Sequence, residues 1–95
     1  MGGEPLELRR RRLRLLACRR GFLEVELALR PFVEAELSRM DHPLLDQLER
    51  LLEMEDLDLW EVLCGRRPLP PEVGSGLAER LRRYLPRAHG GEQSV

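Results

Sequence analysis

Leucine recurs at helical spacing between helix breakers along most of this chain. The clearest case follows Asp41 and Pro43: Leu44, Leu45, Leu48, Leu51 and Leu52 fall on one face of a helix. Asp41 suits a cap and Pro43 suits a first turn. With leucine, glutamate and arginine dominating and only Trp60, Tyr84, Phe22 and Phe32 as aromatics, the composition favours an all-α fold. Ninety-five residues make one domain with a modest buried fraction.

The same reasoning extends in both directions. A first helix is expected over 5–20, with Pro5 at its start and Gly21 as the left-handed residue past its end. Its apolar face would be Leu13, Leu16 and Ala17, with Arg19 and Arg20 in the last turn, where the helix macrodipole favours cations. That placement is a sufficient structural reason for both arginines.

From Phe22 to Leu37 two patterns compete. Leu23, Val25, Leu27 and Leu29 alternate with polar or small residues as in a strand, whereas Phe22, Val25, Leu29, Phe32, Val33 and Leu37 make one helical face. Length and leucine content favour the helix, and Pro31 then implies a kink or an early break, costing about 3 kcal/mol. Wound as a helix, the segment sets Glu24, Ala28, Pro31 and Ala35 on a thinly covered stripe that another surface could approach. Glu26 falls inside the apolar arc, as a partly buried acid or a flanking residue.

After the third helix, EMEDLDLWEVLCG restarts a helix, with Asp56 or Asp58 as its cap, Leu59, Trp60 and Leu63 inward, and Gly65 closing it. RRPLPPEVGSG is a stiff, breaker-rich connection. A last helix is expected over 76–85, with Leu77, Leu81 and either Tyr84 or Leu85 facing in. Pro86 stops it, and 87–95 should be a disordered tail. The expected architecture is a small compact bundle of about five helices forming a single domain over 1–86.

Charge is segregated although the net charge is only −1. The first 20 residues carry +5, residues 21–65 carry −9, and the remainder +3. A basic first helix, an acidic body and a basic last helix suit a protein surface of mixed charge better than a polyanion. RRRRLR, Arg9 to Arg14, could lie along a phosphate backbone, but no aromatic interleaves with it. A solvated arm or a protein contact outweighs that reading, so no nucleic-acid partner is expected.

No catalytic constellation can be assembled. His42 and His89 are isolated, no His/Cys cluster has metal-ligand spacing, and GSG at 74–76 lacks the lysine and strand of a phosphate loop. The acids of EMEDLD lack a calcium loop. Cys18 beside Arg19 and Arg20 could be reactive, but a small apolar residue on a helix is the commoner role of a free cysteine. Two unpaired cysteines, no apolar run of membrane-spanning length and an arginine-rich start that contains acids and lacks serine favour a cytoplasmic protein without membrane insertion. The expectation is a binding protein rather than an enzyme.

CRRGFLEVELALRPF, Cys18 to Phe32, gives that expectation a direction. Arg20, Gly21 and Glu24 form an Arg-Gly-x-x-Glu motif, preceded by Arg19 and followed by Pro31–Phe32, Glu34 and Glu36. Further on come Leu51–Glu53, Asp58–Leu59, Trp60, a glycine turn and a proline. Over about Cys18 to Pro70 the chain resembles the flavinylation factors of succinate dehydrogenase, the FAD assembly factor or assembly factor 2 type. It departs from the pattern in having Glu26 where an aspartate is usual, and in carrying its tryptophan about one turn early.

The resemblance implies a bundle of about five helices. It also implies that the protein binds the flavoprotein subunit of succinate dehydrogenase, with fumarate reductase a further possible client, and promotes covalent attachment of FAD to a histidine of that partner. The factor itself would act as a monomer and hold no cofactor stably. Its partner-binding residues would be Arg19, Arg20, Gly21, Phe22, Glu24, Ala28 and Asp58. Arg20 would offer a planar fork, Gly21 a close backbone approach, and Glu24 an acceptor for the partner or an orienter of Arg20. The alternative is a small helical adaptor or antitoxin-like regulator with another partner.

Overall fold

A computed structural model describes residues 3–85, so the expected tail over 87–95 lies outside the described residues. Five α-helices follow one another: α1 (Leu6–Cys18), α2 (Leu23–Glu36), α3 (His42–Leu52), α4 (Asp56–Leu63) and α5 (Ser75–Arg82), with one 3-10 turn, Leu37–Arg39, between α2 and α3. There is no strand among the described residues.

The alternation in α2 loses to the helical face because the core decides it. Val25, Leu29, Phe32 and Val33 are buried at intervals of three and four, while Leu23 and Leu27 are exposed. The helix runs through Pro31 without breaking. Pro31 and Leu27, one turn apart, are both on the exposed side, so the Leu27 carbonyl that loses its helical donor can meet water instead.

α2 is the central element: α1, α4 and α5 all pack on it, and α3 bridges α1 and α5. One apolar cluster fills the interior, from Leu13 and Ala17 of α1 through Leu45, Leu48 and Leu51 of α3 to Leu59, Leu63, Leu77 and Leu81. Burying each such leucine is worth about 1.5–3 kcal/mol. Tyr84 and Leu85 are both half-buried, and the Tyr84 ring lies edge-on to Phe32 with centroids 6.2 Å apart.

α3 forms as its local sequence dictates. Asp41 accepts from the Leu44 N–H at 3.2 Å, and Pro43 occupies the first turn. α4 does not: its N-cap is Glu55, without a side-chain bond, rather than Asp56 or Asp58. The closing residue Gly65 is left-handed, as expected, with φ 82°. α5 begins and ends earlier than 76–85, and the connection before it is fixed by the Gly74 N–H donating to Gln47 at 2.8 Å.

The first helix is also shorter than 5–20, and Leu16 is not part of its inner face; it is 43% exposed while Leu13 and Ala17 are fully buried. Nor is it an arm. Arg9 bonds Asp46 and Glu49, Arg12 bonds Glu4 and Glu49, and Arg10 donates to the Met40 carbonyl at 2.9 and 3.2 Å. Three of the guanidinium groups in the Arg9–Arg14 run thus fasten α1 to α3 and its approach, which leaves less positive surface for a phosphate backbone. These bonds hold the Glu49 carboxyl below its ordinary value, Arg12 contributing most and Arg9 next.

The last helix is tied by a buried acid. Glu36 is 2% exposed and accepts from the Tyr84 hydroxyl at 2.7 Å and from Arg80 at 3.1 Å. The Tyr84 bond, then the Arg80 bond, keep its carboxyl below the ordinary range against the opposing effect of burial. Both basic blocks of the sequence therefore fold back onto the acidic middle.

Candidate partner-binding site

The Arg-Gly-x-x-Glu residues lie where α1 ends and α2 begins. α1 stops at Cys18, its last carbonyls met in part by the Arg19 N–H donating to Leu15 at 2.9 Å. Gly21 then takes φ 87°, a region costly for a residue with a Cβ. A Cβ there would meet nothing within 4 Å, so the glycine serves the backbone turn and leaves open space above it. The Gly21 N–H donates to the Glu26 carboxylate at 2.6 Å. Glu26 is therefore a half-buried flank residue, and it makes this bond despite being longer than the aspartate usual in the resembling family.

Arg20 and Arg19 do not occupy the last turn of α1. Arg20 sits at the end of a different helix. Its Nε donates to Asp56 Oδ1 at 2.6 Å, Nη1 to the Leu52 carbonyl at 2.8 Å and Nη2 to the Met54 carbonyl at 2.7 Å. Leu52 is the final residue of α3, and carbonyls at a helix end lack intrahelical donors. Asp56 opens α4, where the macrodipole favours an anion. One side chain, only 11% exposed, thereby joins the α1–α2 bend to the α3–α4 turn. The fork expected to face a partner closes instead on the chain's own groups, and Asp56 orients it. Glu24, exposed, makes no hydrogen bond to it among the described residues.

Arg19, Gly21, Leu23 and Glu24 at the bend are all exposed. Arg19 and Glu24 form no ion pair among the described residues, and Leu23 and Leu27 are 62% and 51% exposed on the same side of α2. Phe22 is half-buried against the core and Ala28 is half-buried. Asp58 is not gathered into this group by any bond: it faces Arg67 at 3.2 Å, in the connection after α4. Asp56 is the acid that reaches the motif. It stands out in the sequence only as one of two cap candidates, because its arginine lies 36 positions earlier.

Among the described residues no group of three His, Cys, Asp or Glu side chains could hold a metal ion, and no helix is long and apolar enough to cross a membrane. What the fold presents is a bend whose inner polar groups are hydrogen-bonded and whose other polar side chains are exposed. The class so defined is a small all-helical protein.

Comparison with known proteins makes this specific. Residues 11–85 match the family described as "Flavinator of succinate dehydrogenase", and the chain belongs to that family. It is 40% identical over 78 residues to the FAD assembly factor SdhE of Acetobacter pasteurianus, covering 82% of this chain and 72% of the relative. With the FAD assembly factor SdhE of Methylococcus capsulatus it shares 38% over 75 residues, 78% of this chain and 89% of the relative. Succinate dehydrogenase assembly factor 2-A, mitochondrial, of Drosophila mojavensis is 31% identical over 84 residues, 86% of this chain and 54% of that longer protein. No solved structure gives a significant match.

Proposed function

We propose that this protein promotes covalent attachment of FAD to succinate dehydrogenase by binding its flavoprotein subunit through the α1–α2 bend. The observation that carries the site is the division at that bend: Arg20 and Glu26 bond groups of the chain itself, while Arg19, Gly21 and Glu24 are left exposed. Phe22 and Ala28, half-buried against the core, join the proposed set. Asp58, paired with Arg67, is included in the proposed partner-binding set.

Such binding acts by population shift. The factor holds the partner in an arrangement where the partner's histidine meets the flavin methyl carbon, and it must bind that arrangement more tightly than the others. In this reading the flavin and the bond-forming groups belong to the partner, the factor is a chaperone and not an enzyme, and it binds as a monomer. Fumarate reductase is a further client to be tested in parallel. Cytoplasmic action is part of the same reading, supported by the bacterial origin of the two relatives named SdhE.

The test is the covalent flavin content of the flavoprotein subunit, read as in-gel fluorescence after denaturation, in cells with the intact protein, a deletion, Gly21→Arg or Glu24→Ala. Loss of flavin in the deletion and in both variants, with Glu24→Ala folded, supports function and site together. Loss in the deletion alone moves the site elsewhere. Unchanged flavin in the deletion refutes the function.

A further inference from the structure

We propose that the groove beside the bend, formed by Leu15, Leu16 and Arg19 of the α1 end with Arg12, Arg20 and Asp56, seats a segment of the flavoprotein subunit. That segment would carry a large apolar side chain next to a carboxylate. The inference rests on the proposed function and adds the chemistry of what is recognised.

The groove sets two exposed leucines among charged side chains. Leu15 and Leu16 are 45% and 43% exposed, although neighbouring positions of the same helix, Leu13 and Ala17, are fully buried. Two adjacent leucines left half in water at one helix end are side chains that an apolar partner group would cover. The charges around them are not equivalent. Arg20 is matched by Asp56 and two carbonyls, and Arg12 by Glu4 and Glu49. Arg19 is exposed and has no ion pair among the described residues. The one lining cation left over beside two exposed leucines complements one carboxylate beside one apolar side chain.

The surroundings suit such an occupant. Gly21 adds no side chain above the bend, and Leu57, next in sequence to Asp56, is 67% exposed. The groove thus shares Arg19 with the surface already assigned to the partner. A buried apolar anchor with a charge at its rim is how protein interfaces usually concentrate their affinity.

The experiment measures affinity of purified variants for the purified flavoprotein subunit, alongside flavin attachment. Leu16→Gln and Arg19→Glu should each weaken binding by about tenfold, within the range of single anchor substitutions. Arg19→Lys should retain most of the binding. Leu8→Gln, equally exposed on the same helix but two turns away, should bind as the intact protein does. Photo-crosslinking from p-benzoylphenylalanine at position 16 should label a flavoprotein peptide containing an acidic residue near a large apolar one.

If Leu16→Gln and Arg19→Glu bind normally while the intact protein binds and supports flavin attachment, the groove assignment is overturned and the proposed function stands. A crosslink to a second copy of this chain, or to a peptide lacking acids, also overturns it. Failure of the intact protein to bind the flavoprotein at all overturns both readings.

Discussion

Replacing Arg20 with alanine removes three donors at once, those that meet Asp56, Leu52 and Met54 at 2.6, 2.8 and 2.7 Å. Hydrogen bonds to a charged group contribute about 1.5–3 kcal/mol each, but such contributions are not additive. Asp56, with its side chain 34% exposed, can regain water, and so can part of the Met54 peptide. The Leu52 carbonyl, on a buried residue, recovers least. The expected loss is about 3 kcal/mol, a large part of the roughly 5–15 kcal/mol that holds a domain folded. For a domain of this size that corresponds to a fall in Tm of roughly 12–24 °C. Arg20→Lys keeps the charge but not the fork, and should recover only part of that loss. Urea unfolding followed by far-ultraviolet circular dichroism measures both, with the fluorescence of Trp60, one turn along α4, as a local reporter. If Arg20→Ala is within about 0.5 kcal/mol of the intact protein, by the ordinary range of surface substitutions, and flavin attachment nevertheless collapses, Arg20 is a contact residue and the role assigned to it is wrong.

Two further perturbations test the same framework. At Gly21 the φ of 87°, with open space where a Cβ would stand, makes the cost of substitution one of backbone strain alone; Asn should destabilise less than Ala, and Ala less than Val, with Ala losing about 1–2 kcal/mol by equilibrium unfolding, and a flat series would contradict it. Acid should unfold the protein through Glu36 and Glu49, whose carboxyls are held below their ordinary value of 4.5 in the fold. A depressed carboxyl stabilises above the unfolded value and loses that contribution as pH falls through the folded one. The urea midpoint should therefore be flat from neutral pH down to about 5 and fall below about 4.5, and a double Glu36→Gln, Glu49→Gln variant should be weaker at neutral pH and flatter in acid.

Legibility in the sequence followed the range of the interactions. α3 is readable residue by residue because Asp41, Pro43 and the leucine spacing all act within one or two turns. The end of α1 is not, because the groups that claim Arg20 lie 32 to 36 positions away, and nothing local says that it leaves its own helix to cap another. Leu16 and Leu13 are chemically alike, and only the docking of α1 on its neighbours decides which is buried. Glu36 reads as one more acid in an acidic stretch, since Arg80 and Tyr84, 44 and 48 positions on, are what make its burial tolerable. The motif itself was visible, whereas the split of its members between an inner and an outer role was not, because that split is set by the α3–α4 turn.

This split changes how mutations in the motif should be interpreted. Arg20 and Glu26 act on the bend, so their loss should impair partner binding only as far as it loosens or unfolds the junction. Glu24 and Arg19 are exposed and unpaired within the described chain, so their loss should leave the fold intact and act on association alone. Added salt separates the two groups further. Exposed charges meeting a partner are screened at high ionic strength, whereas a guanidinium that is 11% exposed against its own carbonyls is screened much less. Weakening by salt of flavoprotein binding, with Tm nearly unchanged, would therefore point to Arg19 and Glu24 as the groups that meet the partner, and to Arg20 as the one that keeps them in position.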